Sequence, residues 1–395
     1  MHARRGDPHP KGMPTPMTEP SPPLLKDSLD RDRMHGIARR MAALCPDFAT
    51  DRFIAHVTDG LDQRGIMQRV RRIATGLHAA LPGDFENNVR LLLAFAPEAG
   101  HPFVAIALSD YVALHGADRF EQSMAALKQL TRYGSSEFAI RPFLDRDLHR
   151  TLAVMEIWAR DPDEHVRRLA SEGCRPRLPW SFRLKALTAD PAPVATILAT
   201  LKADPSPYVR KSVANHLNDI AKDHPGWVLN LLAAWPRENP RTAWIVKHGL
   251  RTLIKQGDKR ALTLIGAGAA PVIAVERFAV TPAAIVLGAP VAIEARLVSR
   301  ADTSQRLVVD YAIHYVKKNG ATSRKVFKFR EIELEAGLGA TLTTTQTVRD
   351  FTTRKHHAGR HRIELLVNGR TLAETAFDLA LAAGAAATPV LTRND

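Results

Sequence analysis

The segments DPDEHVRR at 161–168 and DPSPYVRK at 204–211 resemble each other closely and are separated by 43 residues. This period lies within the range of about 40–47 residues that is typical of HEAT and armadillo repeats, in which helices stack on those of the next repeat. The offset aligns Glu172 with Asn215, and Asp219 lies one helical turn further along. Stacked repeats would therefore place Glu172 and Asp219 on one strip along one face of a superhelix.

The first of these segments combines a helix start, an amphipathic helix and an abrupt end. Asp161 can cap a helix, and Pro162 suits the first helical turn, where its missing N–H is not needed. Three apolar residues recur at helical spacing and predict the side that faces a core: Val166, Leu169 and Ala170. Gly173 ends the helix, and a stiff loop RPRLPW follows at 175–180. A cationic loop ending in an aromatic residue, beside Glu172, is unusual for a simple connection.

Helical periodicity, interrupted by Pro, Gly and Asp caps, extends from about Asp30 to about Gly266. Short helical segments between such breaks favour an α-solenoid over a four-helix bundle. After about Ala270 the pattern changes to β-branched and alternating runs that predict roughly seven short strands, as in an immunoglobulin-like sandwich. The predicted fold is therefore multidomain: an all-α HEAT-like superhelical solenoid followed by an all-β immunoglobulin-like sandwich.

The predicted domain boundaries follow these changes in composition. They give an N-terminal extension (1–28), a solenoid (29–268), a sandwich (269–383) and a tail (384–395). The extension is rich in Pro, Arg, His and Ser and is expected to be disordered, with Met17 as an alternative start. Within the sandwich, Asn319-Gly320 predicts a hairpin turn.

The charge of the chain indicates the class of partner. There are 55 Lys+Arg against 41 Asp+Glu, a formal net charge of +14. Such an excess favours a polyanion, with nucleic acid first and an anionic membrane surface second. No apolar run approaches the ~18 residues of a membrane span, and the N-terminus has no apolar signal region. A cytoplasmic protein is expected, associated with the nucleoid when it is bound to DNA.

The sequence offers little for metal or cofactor binding. Its two cysteines, Cys45 and Cys174, exclude a disulfide scaffold and a multi-cysteine metal site. The motifs GxxxxGK[ST], HExxH and GxSxG are absent. His356-His357 together with His361 could chelate a metal, but solvated histidines are the better explanation in a basic loop. No metal and no cofactor is predicted.

Three carboxylates are candidates for chemistry: Glu137, Glu172 and Asp219. Glu137 is predicted in the first turn of a helix, where the helix dipole already favours an acidic residue. Glu172 lies near a helix C-terminus, where negative charge is disfavoured, although Arg168 four residues earlier could pair with it. Asp219 is predicted in mid-helix, where Asp is a poor helix former. A purely structural role explains Glu137 well. For Glu172, a structural and a functional role fit equally well, and for Asp219 a structural role fits less well.

Basic residues crowd the repeat helices and the turns of the β segment, as expected for contacts with the spaced phosphates of a duplex. The predicted DNA-binding residues are Arg168, Arg175, Arg177, Arg210, Lys211, Lys317, Lys318, Arg354 and Lys355. For any one of them, a solvated surface position is an equally good explanation. Trp180 follows two arginines and is the best candidate for an exposed stacking platform, because an indole face attracts a cation.

The motifs SSEFAIRPFL, VRRLASEGCRPRLPW and VRKSVANHLNDIAKDHP resemble the bacterial HEAT-like-repeat DNA alkylation repair glycosylases, specifically the AlkC type. The resemblance covers about residues 30–266, and the β segment resembles the immunoglobulin-like domain of one AlkC subfamily. It implies monofunctional excision of small cationic lesions, 3-methyladenine and 3-methylcytosine, from kinked duplex DNA without full base flipping. It also implies catalytic roles for Glu137, Glu172 and Asp219, and lesion stacking by Trp180. The related AlkD type has Trp-Trp-Asp where this chain has Ser136-Glu137-Phe138, so the resemblance does not choose among the three carboxylates.

The residue types suit this chemistry. A base methylated at N3 is a cation and leaves readily, so catalysis mainly requires stabilisation of a positive sugar and orientation of a water molecule. Carboxylates in a partly dry cleft can do both. The expected partner is double-stranded alkylated DNA, bound by a monomer. Two alternatives stay open: a non-catalytic HEAT-repeat DNA- or protein-binding scaffold, and an adaptor that binds proteins through its β domain.

Overall fold

The computed structural model describes residues 24–351 and 354–381. The larger part of the predicted extension (residues 1–23) and the predicted tail (384–395) lie outside the described residues.

Helices form the described chain as far as Leu264, and strands follow from Ile273. The α-helices are α1 Arg31–Leu44, α2 Thr50–Thr58, α3 Ile66–Ala80, α4 Phe85–Phe95, α5 Pro102–His115, α6 Phe120–Leu130, α7 Arg141–Arg146, α8 Leu148–Trp158, α9 Glu164–Glu172, α10 Lys185–Ala189, α11 Ala195–Thr200, α12 Pro207–Ile220, α13 Pro225–Ala233, α14 Pro240–Gly249, α15 Arg251–Gln256 and α16 Lys259–Leu264. Short 3-10 helices span Leu25–Leu29, Leu61–Gln63, Ala96–Glu98 and Ala192–Val194. The strands are β1 Ile273–Thr281, β2 Ala284–Val286, β3 Pro290–Ser299, β4 Gln305–Val316, β5 Thr322–Leu334, β6 Gly339–Thr347, β7 Gly359–Val367 and β8 Arg370–Ala380.

The chain divides into two compact units between Ser136 and Glu137, inside the helical part. In the first unit, the 3-10 helix Leu25–Leu29 is held in place by a buried leucine and an arginine. Leu29 is fully buried, and Arg69 of α3 donates hydrogen bonds to the backbone carbonyls of Lys26 and Leu29, at 2.7 and 3.1 Å. The expectation of disorder through residue 28 is therefore wrong for residues 25–28.

In the second unit, the helices of the predicted repeat pack side by side. Helix α9 packs against α8 and α12, and α12 packs against α14. The apolar residues predicted to face the core of α9 are all fully buried: Val166, Leu169 and Ala170. Their equivalents at the 43-residue offset include Val209 and Val213, which are also fully buried.

The turns before α9 and α12 have equivalent hydrogen bonds. The side chain of Asp161 accepts a bond from the backbone N–H of Asp163 at 2.9 Å, and Asp204 accepts one from Ser206 at 2.8 Å. The helix caps are Asp163 and Ser206, not Asp161 and Asp204. The predicted start of α9 was therefore too early, because Asp161 shapes the turn ahead of the helix.

An arginine links this turn to the helix that follows it and to the next repeat. Arg167 donates to the backbone carbonyls of Asp161 and Pro162, both at 2.9 Å, and Arg210 makes the equivalent pair of bonds one repeat later. Arg167 also binds both carboxylate oxygens of Asp204, with Nε–Oδ2 at 2.7 Å and Nη2–Oδ1 at 3.1 Å. These hydrogen bonds raise the pKa of Arg167. The two repeats are thus joined by the Arg167–Asp204 ion pair as well as by apolar packing.

We expect Asp204→Ala to lower the free energy of unfolding by roughly 3 kcal/mol, because it leaves the half-buried Arg167 without its carboxylate and removes a turn bond. The measurement is urea unfolding followed by circular dichroism. The matched control is Asp190→Ala: Asp190 makes the same type of turn bond, to the backbone N–H of Ala192 at 2.9 Å, but is exposed and pairs with no arginine in the described part of the chain. Equal losses in the two variants would contradict a role for the Arg167–Asp204 pair.

The strands form two sheets with a shared core. The three-stranded sheet has the order β1-β3-β6 and the five-stranded sheet the order β2-β8-β7-β4-β5, and only the β2–β8 pair is parallel among the described strands. The core between the sheets includes Ile293 and Leu297 from the first sheet and Tyr311, Ile313 and Leu365 from the second. The alternation predicted from the sequence therefore corresponds to a two-sheet sandwich.

The predicted hairpin turn joins β4 to β5. The backbone N–H of Gly320 donates to the carbonyl of Lys317 at 3.0 Å, and Gly320 has a positive φ of 79°, which glycine adopts without strain. The turn places Lys317 and Lys318 at an exposed end of the sandwich. No helix within residues 24–351 and 354–381 has both the length and the apolar character that a bilayer span requires.

Candidate functional site

The loop after α9 is fixed by a buried arginine that sequence analysis did not single out. Arg141 at the start of α7 is fully buried and donates to the backbone carbonyls of Gly173 at 3.0 Å, Arg175 at 2.7 Å and Phe182. Its guanidinium carbon also lies 5.3 Å from the centroid of the Phe182 ring. Burial lowers the pKa of Arg141 to about 10, so it stays charged at neutral pH. Both ends of the RPRLPW loop are thereby held to α7.

The three candidate carboxylates converge on two arginines. Arg168 donates a hydrogen bond to Glu137, and its Nη2 lies 3.4 Å from Oε1 of Glu172. Nη1 of Arg175 lies 2.5 Å from the same Oε1, whereas its Nε and Nη2 lie 2.9 and 2.7 Å from Oδ2 of Asp219. All five side chains expose 14% of their area or less. We call these five residues the carboxylate cluster.

The charges of the carboxylate cluster are nearly balanced. Its three carboxylates face Arg168, Arg175 and also Lys222, whose Nζ lies 3.0 Å from Oδ1 of Asp219. Burial acts to lower the pKa of both arginines, but the neighbouring carboxylates outweigh burial and raise it. Both arginines therefore stay charged, and the loss of one carboxylate would leave a buried cation poorly compensated.

A buried histidine close to the cluster in α12 cannot act as a cationic acid at neutral pH. His216 precedes Asp219 by one turn of α12 and is fully buried. Burial, with a contribution from Arg175, lowers the pKa of His216 to about 3, so its ring is neutral at physiological pH.

The local structure around two of the carboxylates, Glu137 and Asp219, differs from the prediction. Glu137 lies in a turn ahead of α7 and not in the first turn of a helix, because α7 starts four residues later at Arg141, with Pro142 in its first turn. The helix-dipole explanation for Glu137 is therefore wrong, and its recorded ion pair is with Arg168. Asp219 is the penultimate residue of α12 and not a mid-helix residue. Glu172 ends α9, close to the predicted helix C-terminus.

The structure gives three of the predicted DNA-binding arginines carboxylate partners. Arg168 and Arg175 are buried in the carboxylate cluster, which disfavours direct contact with phosphate and explains them better as residues that position the carboxylates. Arg177 pairs with Asp223 through two hydrogen bonds of 2.8 and 2.5 Å, near the surface. Sequence spacing indicated the pair of Arg168 with Glu172. It could not show the partners 31 to 46 residues away, Glu137, Asp219 and Asp223.

The other predicted basic residues are more accessible. Lys211, Lys317 and Lys318 are exposed, whereas Arg210 is half-buried over the ring of Trp244, 5.9 Å from its centroid. Lys211 aligns with Arg168 in the repeat, but its neighbour one turn on is Asn215 and not a glutamate. This difference explains why the aligned cations occupy different environments.

Arg354 and Lys355 lie at the same end of the sandwich as Lys317. The guanidinium carbon of Arg354 is 5.5 Å from the ring centroid of Tyr315, two residues before Lys317. Lys355 is exposed and pairs with Asp350 at 3.2 Å. The predicted basic residues of the β domain thus lie at one end of that domain, and they are far along the chain from the carboxylate cluster.

Trp180 ends the loop in a conformation that is rare for a large side chain. Its φ is +64°, in the left-handed region, and 62% of the residue is exposed. Left-handed backbone costs on the order of 1 kcal/mol for residues other than glycine, and such positions cluster at functional sites. An exposed indole on a loop held by Arg141 suits the predicted stacking role.

Sequence analysis also missed an aromatic neighbour of the cluster. Tyr208 lies under the guanidinium group of Arg168, with 5.1 Å between the guanidinium carbon and the ring centroid. Burial raises the pKa of Tyr208. Its position inside the second repeat segment, DPSPYVRK, was the available signal.

The histidines considered as metal ligands have other contacts. His361 stacks on Phe377 with 5.1 Å between ring centroids, and Nδ1 of His356 lies 3.4 Å from Oδ1 of Asp350. Within the described residues, no group of three or more His, Cys, Asp or Glu side chains is placed to hold a metal ion.

The helical region that carries the cluster matches a known family. The family model described as "DNA alkylation repair enzyme" matches residues 52–253, slightly more than half of the chain, and this range contains the whole carboxylate cluster. The chain belongs to the DNA alkylation repair enzyme family. The model described as "Uncharacterised protein YhaZ, C-terminal Ig-like domain" matches residues 274–381. Both the resemblance and the fold class predicted from the sequence are confirmed.

Individual members of the family extend this match over most of the chain. The uncharacterized protein YhaZ of Bacillus subtilis (strain 168) is 38% identical over 346 residues, which cover 87% of this chain and 96% of YhaZ. The solved structure of the Pseudomonas fluorescens alkylpurine DNA glycosylase AlkC, bound to DNA containing an abasic site analog, is 52% identical with a TM-score of 0.88. That match covers 91% of this chain and 100% of the AlkC chain.

Proposed function

We propose that this family member is a monofunctional DNA glycosylase that hydrolyses the N-glycosidic bond of small cationic alkylated bases in duplex DNA. The observation that carries the proposal is the carboxylate cluster, three carboxylates held by two buried arginines inside the family's helical region. The 52% identity to an alkylpurine glycosylase solved with abasic DNA supports it. Within the reaction class, we propose 3-methyladenine and 3-methylcytosine as substrates and a monomer as the active form.

The proposed reaction needs no protein nucleophile. The bond between C1′ and the methylated base breaks, and the bonding electrons leave with the base and neutralise its positive charge. Positive charge then develops on the sugar, where Glu137, Glu172 and Asp219 can stabilise it. Water adds to C1′ and gives its proton to a carboxylate. The product is an abasic site, and no strand cleavage is expected because no lysine forms a covalent intermediate.

Arg168 and Arg175 are proposed as positioning residues in this reaction. Each bridges two carboxylates, so together they hold Glu137, Glu172 and Asp219 close to one another despite their like charges. The arginines also offset the free energy that burial of carboxylates near DNA phosphates would cost. Contacts with the phosphates themselves are assigned to the more accessible cations Arg177, Arg210, Lys211, Lys317, Lys318, Arg354 and Lys355.

The direct test is release of methylated bases from alkylated duplex DNA, resolved by chromatography. The proposed glycosylase should release 3-methyladenine and 3-methylcytosine and leave intact abasic strands. A non-catalytic scaffold, the alternative that the basic residues alone would support, should bind the same duplex and release no base.

We expect Trp180→Ala to lower kcat/KM for release of 3-methyladenine by about 2–30-fold, which is the loss of a cation–π contact of about 0.5–2 kcal/mol. Trp180→Phe should retain part of the activity, since a smaller aromatic face remains. The matched control is Ile157→Ala, which truncates another exposed apolar side chain, 71% exposed, on α8. Unchanged kcat/KM in Trp180→Ala would remove Trp180 from the proposed site.

A further inference from the structure

A cavity lies between the last helices and the β domain, and none of its lining residues belongs to the carboxylate cluster. Its volume is about 370 Å³, and α14, α15, β4 and β5 line it. Trp244, Ile254 and Val308 supply apolar walls, and Trp244 stacks on His248 with 4.3 Å between ring centroids. This size and this mixture of apolar walls with a few polar groups are typical of sites for small ligands.

An irregularity in the β4–β5 pair determines which polar side chains reach the cavity. The pairing register shifts by one residue between Val309 and Asp310. Side chains alternate between the faces of a strand, so residues three apart in β5 would normally point to opposite faces. The shift allows Lys328 and Glu331 both to line the cavity, beside Asp310 of β4.

Glu331 already has partners within the protein. Lys247 of α14 and Lys328 of β5 donate hydrogen bonds to it, and Nη2 of Arg306 lies 3.7 Å away. Burial acts to raise the pKa of Glu331, but the hydrogen bonds from the two lysines outweigh burial and lower it. Glu331 therefore anchors β5 to α14 and is not available to a ligand.

Asp310 is different, because it is buried and lacks a partner. Only 7% of it is exposed, and no side chain or backbone group within the described residues forms a hydrogen bond or ion pair with its carboxyl group. Burial raises the pKa of Asp310 to about 6, and the charges of Lys328 and Lys255 only partly oppose this rise, which Glu331 reinforces. The carboxylate oxygens of Asp310 are not among the fully buried polar atoms of the described residues, so a donor that enters the cavity can reach them.

The remaining charges of the lining favour an anion. Arg251 and Lys255 are four residues apart on α15, hence on one side of that helix, and both line the cavity. Arg251 also donates hydrogen bonds to the carbonyl of His248 at 2.8 Å and to Oδ1 of Asn215 at 3.1 Å, so Lys255 is the more available cation. Lys255 is exposed and has no recorded polar partner in the part of the chain that the structure describes. The charged lining residues are four cations, Lys247, Arg251, Lys255 and Lys328, and two carboxylates, Asp310 and Glu331. The ligand should therefore combine a negative group, a hydrogen-bond donor edge and a flat apolar body.

We propose that this cavity binds a single nucleotide, whose base donates hydrogen bonds to Asp310 and whose phosphate meets Lys255 and Arg251. Guanine is the base that fits best, because its ring N–H and exocyclic amino group lie side by side and match the two oxygens of a carboxylate. The nucleotide can come from the free pool or from a DNA strand in which it is unpaired, and both sources present the same groups. This site shares no residue with the carboxylate cluster, although its Arg251 interacts electrostatically with Asp219 and Arg175.

The test is calorimetric titration of the full chain at pH 8, where Asp310 is ionised, with deoxyguanosine monophosphate as the probe. We expect binding at least about tenfold tighter than that of deoxyribose 5-phosphate or inorganic phosphate. Asp310→Asn should weaken it by a similar factor, the loss expected for a hydrogen bond to a charged group. A second arm compares a duplex carrying one unpaired guanine with the fully paired duplex, which separates a DNA source from a free nucleotide.

Weaker nucleotide binding by Asp310→Asn can be distinguished from a loss of folding. Asp310 has a folded-state pKa above its ordinary value, so its ionised form destabilises the fold above about pH 6 and has no such effect below about pH 4. Asp310→Asn should therefore raise the thermal unfolding midpoint at pH 8 and weaken nucleotide binding at the same time. The matched control is Asp302→Asn, at an exposed aspartate of the same domain outside the cavity. The proposal is overturned if neither the free nucleotide nor the unpaired guanine binds better than its control, or if Asp310→Asn binds like the unaltered protein.

Discussion

Glu172→Gln is expected to lower the single-turnover rate of 3-methyladenine release by about 10²–10³-fold, while the Kd for the same duplex changes by less than about threefold. The rate loss is typical of removing one group that stabilises charge in a transition state. Glutamine keeps the size of the side chain and an acceptor oxygen for Arg175, so the loop should stay folded. The rate is measured with enzyme in excess over lesion-containing duplex, and the Kd by fluorescence anisotropy.

The matched control for this variant is Asp223→Asn. Asp223 also pairs with an arginine of the same loop, Arg177, but 27% of its side chain is exposed and it lies outside the carboxylate cluster. Arg177 holds the pKa of Asp223 below its ordinary value through hydrogen bonds, so the carboxylate of Asp223 is ionised at neutral pH. Equal rates for Glu172→Gln and the unaltered protein would show that Glu172 has a structural role only. Asp219→Asn then tests whether another cluster member carries the reaction.

Arg141→Met is expected to lower the free energy of unfolding by about 3–5 kcal/mol, because three hydrogen bonds from a charged, buried donor are lost. Methionine retains apolar packing but donates no hydrogen bond, which leaves the carbonyls of Gly173, Arg175 and Phe182 without this partner. We expect the RPRLPW loop to loosen and base release to fall with it. Urea unfolding measures the stability, and limited proteolysis between 173 and 183 measures the loop.

Arg183→Met serves as the comparison, because Arg183 lies in the same loop region and is exposed. It should change the free energy of unfolding by less than about 0.5 kcal/mol, as is usual for surface positions. A loss below about 1 kcal/mol in Arg141→Met would mean that other contacts hold the loop and that the buried guanidinium is dispensable.

Properties that depend on local pattern were predictable from the sequence. The 43-residue offset reappears as equivalent turns and equivalent arginine bonds, because short-range hydrogen bonds depend on residue types at fixed spacing. The apolar spacing of Val166, Leu169 and Ala170 gave the buried face of α9 for the same reason. Asn319-Gly320 gave the hairpin, since few other residues accept the required backbone angles.

Properties that depend on tertiary partners were not predictable in this way. Arg168 and Arg175 looked like phosphate contacts because sequence spacing does not show their distant partners, Glu137 and Asp219. The bonds of Arg141 are formed with carbonyls about 32 to 41 residues away, and backbone carbonyls carry no residue signature. Glu137 was assigned to a helix because an acidic residue after glycine has the same local pattern in a turn.

The exposure of Trp180 gives this protein a built-in optical reporter. Two other indoles, Trp158 and Trp235, are 4% and 5% exposed and will emit at shorter wavelengths than an indole in water. Long-wavelength emission should therefore come from Trp180 and, to a smaller extent, from Trp244, which is 37% exposed, and the variant Trp244→Phe would leave Trp180 as the main source. Because Trp180 ends a loop held at both ends by Arg141, that signal reports the state of the loop without any added dye.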